Sequence, residues 1–148
     1  MSVEYSALFS SFLGKLEEDA YEGIAETVAE QDMIVLLNSA IINFTFPKID
    51  VFDKDDLTMI FNQDITIKEI EIMSNLMRVE WLNRKLNNIN LLKQKFSDKE
   101  FKLTSQAAHM EALLKVASKA QEDVKKMMNT YSLSNNGKSN FGVLRGGD

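Results

Sequence analysis

With 148 residues, 45% of them apolar and 26% charged, the chain is long enough to bury one core and has the composition of an ordinary globular domain. The absence of cysteine excludes disulfides, thiolate metal sites and a cysteine nucleophile. A net charge of -5 weighs against a DNA-reading role, and the longest apolar run, "MIVLL" at residues 33–37, is far short of the ~20 residues that a membrane-spanning helix needs.

The first segment, from Val3 to about Glu22, places Leu8, Phe9, Phe12, Leu13 and Leu16 at helical spacing, with a break expected near Gly14. No basic residue precedes that apolar stretch, so it does not read as a secretory signal, and the protein is expected to act in the cytoplasm where it is made. "TVAE" (Thr27 to Glu30) has the spacing of a capping box and predicts a second helix over about 28–44. That helix is apolar on nearly every side, which makes it either the central helix of a bundle or a helix with one face covered by another subunit. From Thr45 to Gln63 the only proline and two short β-branched, aromatic-bearing runs predict a β-hairpin arm that protrudes.

"TIKE" (Thr66 to Glu69) is a second capping box, opening a long helix to about Asn88 whose Ile70, Met73, Met77 and Trp81 share a stripe. "SDKE" (Ser97 to Glu100) has the same spacing and predicts a short turn. The last helix, about 106–131, carries Met110, Leu113, Ala117, Ala120, Val124, Met127 and Tyr131 in alternating steps of three and four, with two alanines that allow close approach. The fold expected is therefore mainly α: a bundle of about four helices in a domain over 1–131, with a β-arm at about 45–63. An extended, glycine-bearing C-terminal tail over 132–148 completes it.

Charge is unevenly spread. Residues 1–30 hold seven acids against one base, and residues 84–126 hold ten bases against five acids. Solvated helix faces account for such a pattern, and so does head-to-tail attraction between copies.

The residues offer little chemistry. His109 is the only histidine and has no nucleophile context around it, so neither a general base nor a zinc site is indicated, and a packed or surface histidine is expected. The acids of "DVFDKDD" (Asp50, Asp53, Asp55, Asp56) lack the glycine and terminal glutamate of a calcium loop and read as a polar hairpin tip. No phosphate-binding glycine motif opens a helix. No catalytic residue, metal or cofactor is expected. The tail, by contrast, sets Asn140, Phe141, Val143, Leu144 and Arg145 among four glycines, and three of these, Phe141, Val143 and Leu144, are apolar residues that a solvating end does not need. They are the candidate partner-binding residues, suited to adding as an extended strand to a neighbour's sheet edge.

Two blocks, Ile65 to Asn88 and Leu91 to Tyr131, carry "I-x-I…L-M…E-W-L" at Ile70 to Leu82, "K-Q…S-D-K-x-F" at Lys93 to Phe101, and "S-Q-A" with the nearby His109. In these features the chain resembles the head–tail connector, or neck adaptor, proteins of tailed bacteriophages. The resemblance implies a non-enzymatic virion protein of the neck, forming a homo-oligomeric ring of twelve copies under the portal protein and joining it to the next neck or tail-completion protein. DNA would pass through the channel without sequence-specific binding, and no membrane would be involved. Two other functions fit the residues: a tail-completion or tail-terminator protein, which would lean on a β-sheet, and a small regulatory helical binding protein, which would be a monomer or dimer. An enzyme acting through His109 ranks last.

Overall fold

The computed structural model describes the backbone of residues 2–95 and 105–146 and the side chains of residues 2–90 and 108–134. In chain order its elements are β1 (Val3–Glu4), α1 (Tyr5–Leu13), α2 (Glu26–Ile41), β2 (Lys54–Asp55), β3 (Ile60–Phe61), α3 (Ile67–Lys95) and α4 (Ser105–Gly146). The expected "SDKE" turn lies outside the described residues.

Helix α1 stops at Gly14, where the Gly14 amide bonds Ser10 O at 3.1 Å and the next two amides, Lys15 and Leu16, tighten to i→i+3 bonds. Its apolar face, Tyr5, Leu8, Phe9 and Phe12, is buried. The chain then turns through residues 17–24, with Gly23 at φ +76°, a left-handed conformation that glycine adopts without strain. That turn delivers the chain into α2 earlier than the capping box predicts. Glu26 is already helical, Ala25 is the N-cap, and no side chain caps the helix. Thr27, now in the first turn, can no longer occupy the extended N-cap position that the box requires.

The box at Thr66 does form. Glu69 Oε1 accepts from the Thr66 amide (2.8 Å) and hydroxyl (2.7 Å), and the Glu69 amide donates back to Thr66 Oγ1 at 3.4 Å. From this start α3 runs on to Lys95, beyond the expected end near Asn88. The asparagines at 87, 88 and 90 depress helix propensity, but Ile89 is buried and Leu86 packs on the core, and burial outweighs a few tenths of a kcal/mol of propensity.

α3 packs against each of α1, α2 and α4, so it, and not α2, is the central helix. On α4 the buried positions are Leu113, Ala117, Ala120, Val124, Met128 and Tyr131, the expected three-and-four spacing with Met128 taking the inner place and Met127 its edge. α4 lies antiparallel to α3: Val124 and Met128 sit across from Leu76 and Val79, and Ser134 from Lys68. The expected helix end near Tyr131 is passed, the helix continuing to Gly146. Serine is tolerated there because Ser132 and Ser134 turn their hydroxyls back to the carbonyls of Asn129 (2.9 Å) and Tyr131 (3.1 Å), and thus leave no polar group unpaired.

The arm is a hairpin, but a docked one. β3 pairs antiparallel with β2 on one side and with β1 on the other, so the N-terminus supplies a third strand, Val3 opposite Phe61. Phe61 and Val51 are fully buried, and Phe61 stacks on Tyr5 with ring centroids 4.8 Å apart. Asp56 then ties the hairpin to two helices: it accepts from Tyr5 Oη (2.5 Å), Asn38 Nδ2 (3.1 Å) and Lys54 Nζ (2.6 Å). The tip stands out, with Leu57 94% exposed, and Phe52 on the same arm is 57% exposed.

Tyr131 closes the bundle. Its hydroxyl donates to Glu69 Oε2 at 2.6 Å and accepts from the Lys48 amide at 2.9 Å. Replacing it with phenylalanine should leave both groups unpaired in the interior and cost about 1–3 kcal/mol, measured as a lower urea midpoint with unchanged m-value. Burial and the Glu69 carboxylate also hold this phenol up at about 12. Its contribution is thus complete below the ordinary tyrosine value and is lost as pH rises toward 12, and Tyr131→Phe should flatten that alkaline loss.

Candidate partner-binding faces

α2 is peripheral, and its outer face is uncovered. Val28 (57% exposed), Val35 (61%) and Ile42 (71%) recur every seven residues, with Gln31 and Ser39 exposed between them, so a strip about 21 Å long carries no charge. Ile24 shares a surface hollow with Val28 at one end, and the charged pair Asp32 and Arg84 lines the same hollow beside the strip. At the other end stands Phe46, 79% exposed and at φ +53°. A bulky residue before proline normally adopts an extended backbone, so this left-handed conformation is strained and leaves the ring in solvent.

A different opening lies between the start of α1, the first half of α2 and the hairpin turn. It is a groove of about 500 Å³ with Phe9, Leu13, Ala29, Met33 and Met59 along it. Glu4, Glu26 and Glu30 stand around it, and none of the three has an ion-pair partner among the described residues.

Between strip and groove the acids are spoken for. Asp32 takes both guanidinium nitrogens of Arg84 (2.7 and 3.0 Å) and the hydroxyl of Tyr21 (2.6 Å), and Glu17 pairs with Lys85. Arg84 and Lys85 also lie over the Trp81 ring, which stacks on Tyr21 at 5.2 Å between centroids. Part of the expected attraction between the acidic start and the basic second half is therefore satisfied within one chain. The exposed bases of α4 behave likewise: Lys119 pairs with Asp123 and Lys126 with Glu122, each one helical turn away.

His109 is exposed on α4. Asp50 and Asp55 accept backbone amides of the turn, from Phe52 at 3.0 Å and from Leu57 at 2.9 Å, while Asp53 binds the side chains of Asn62 and Gln63. No group of three or more His, Asp or Glu among the described residues is placed to hold a metal ion. No described helix is long and apolar enough to cross a membrane. The side chains of Asn140, Phe141, Val143, Leu144 and Arg145 lie outside the described residues; the backbone there belongs to α4.

No known protein family, no curated protein and no solved structure matches the chain.

The strip was half legible. An all-round apolar helix already signals a covered face, and the seven-residue recurrence of Val28, Val35 and Ile42 is the sign that locates it. The acid-rimmed groove has no linear signal, because Glu4, Phe9, Glu30 and Met59 meet only in the fold.

The pairing of Asp32 sets a pH dependence. Hydrogen bonds from Arg84 hold its carboxyl below the ordinary carboxylate range, against the opposing effect of burial and with help from Tyr21. The stability it contributes is present above that ordinary range and is lost as pH falls through the depressed folded value. Asp32→Asn should lower the thermal midpoint at neutral pH and shrink its fall on acidification, in melts followed by circular dichroism.

Proposed function

We propose that the protein is a structural, non-enzymatic adaptor that works in repeated copies, as a head–tail connector in the neck of a tailed-phage virion. The observation that carries this reading is the uncharged strip of Val28, Val35 and Ile42 with Phe46 at its end. A lone domain has no use for three large apolar side chains in line on one helix with an exposed phenylalanine just beyond its end, whereas a ring subunit covers such a face with its neighbour.

The sequence resemblance supports the same reading from the interior. Its "I-x-I…L-M…E-W-L" residues, Ile70 to Leu82, lie on α3, the helix on which the others assemble. The tail-terminator alternative calls for a substantial sheet, and the three strands of two residues among the described residues do not supply one. A ring under the portal, with the next neck or tail-completion protein below it and DNA in its channel, is the assembly the proposal expects.

The test is the mass of the purified protein by light scattering, alone and mixed with the portal protein of the same virus, with electron microscopy of the mixture. The expected result is a ring on the portal. Val35→Glu with Ile42→Glu should abolish it while leaving the thermal melt in place, because both side chains already face water. A monomer or dimer that ignores the portal would point instead to a small regulatory binding protein.

A further inference from the structure

The acid-rimmed groove and the C-terminal segment of this chain are chemical complements. The groove offers an apolar floor in which Phe9 and Met33 are nearly buried and Leu13 is exposed, with Glu4, Glu26 and Glu30 standing around it. Residues 138–145, "KSNFGVLR", place Phe141, Val143 and Leu144 between Lys138 and Arg145 and contain no acid. From this match we infer that the groove receives residues 138–145 of a second copy of the chain, apolar residues on its floor and the two cations among its glutamates.

Two further observations favour a second copy as the source. Ser134 lines one hollow with Lys68, which is in the first turn of α3, and the backbone of α4 continues from there to Gly146. Tyr131 also stacks on Phe44, beyond the C-terminal end of α2, at 5.5 Å between ring centroids, whereas the groove uses the opposite end of that helix, at Glu26, Ala29, Glu30 and Met33. Glu30 and Ile41, both on α2, are 11 residues apart, about 16 Å along the helix. The segment leaves its own domain at one end and the receptor opens toward the other, a head-to-tail relation that repeats from copy to copy.

The contact has the form of a segment laid in a groove, where apolar anchors supply affinity and the charged rim supplies orientation. Two cations facing three glutamates at a solvated edge should make the contact weaken as salt is raised. It rests on the reading of the chain as a protein that works in repeated copies, but not on the portal.

The experiment is fluorescence anisotropy of a labelled peptide of residues 134–148, titrated with full-length protein carrying Lys138→Glu and Arg145→Glu so that its own segment does not compete. Saturable binding that weakens with salt, and that falls about tenfold or more when Glu26→Lys and Glu30→Lys are added, is expected. Glu26 is exposed and Glu30 only partly covered, so an unchanged circular dichroism melt should accompany that loss. No binding, or binding indifferent to the Glu26 and Glu30 changes, would overturn the inference. Peptide binding by a protein that ignores the portal would sink the connector reading alone. A ring that forms on the portal without peptide binding would sink only this contact.

Discussion

A buried carboxylate decides the register of this bundle. Glu69 is 3% exposed, and a charge so placed is tolerated only when its oxygens are fully engaged. One oxygen is held by Thr66 at the start of α3, where the helix dipole also favours an anion, and the other takes the Tyr131 hydroxyl from α4. Tyr131 in turn receives the Lys48 amide, and its own carbonyl takes Lys48 Nζ at 2.6 Å. The base of the hairpin, the start of α3 and α4 are thereby joined through two side chains. Moving α4 by one residue would rotate Tyr131 by about 100° and strip Glu69 of a partner, so the apolar stripe alone need not specify the alignment.

With α4 set on α3, the other elements take the sides that remain. α1 and α2 pack on α3, and the hairpin is locked to both through Asp56. Burial pushes the Asp56 carboxyl up, but hydrogen bonds from Lys54, Tyr5 and Asn38 together outweigh it and leave the group below its ordinary range. Polar clusters at Glu69, Asp56 and Asp32 thus sit where elements meet, and apolar contact fills the space between them. α2 receives support from one side only. Its outer strip is a consequence of that arrangement.

How much of this was legible follows from the range of each signal. The Thr66 capping box is four residues long, depends on nothing distant, and formed as expected; the α4 stripe needs only its own periodicity. The box at Thr27 has the same four-residue form and failed, because Gly23 and the turn before it set the helix entry two residues earlier. β1 is two residues whose pairing with β3 spans more than fifty positions, so no local pattern marks it. The length of α3 was underestimated for a related reason: propensity is local, whereas the burial of Ile89 belongs to the tertiary fold. The charge asymmetry was visible as a sum, but which acids are consumed internally, Asp32 and Glu17, and which remain around a groove, Glu4, Glu26 and Glu30, is a property of placement.

Magnitudes limit what the uncovered strip can do alone. Covering the exposed parts of Val28, Val35, Ile42 and Phe46 would return on the order of 5–8 kcal/mol at ordinary transfer values. Association of two proteins costs roughly 4–15 kcal/mol before any surplus appears. One strip therefore holds two free copies weakly or not at all, and a subunit built this way needs a second point of attachment. A contact in which each copy also lends a segment to the next makes the second binding event intramolecular, and gains affinity through effective concentration without enlarging the strip. A template that lines the copies up would act in the same direction. Marginal pairwise contacts that add up only when several are made together would keep a subunit of the proposed assembly dispersed until its assembly site exists.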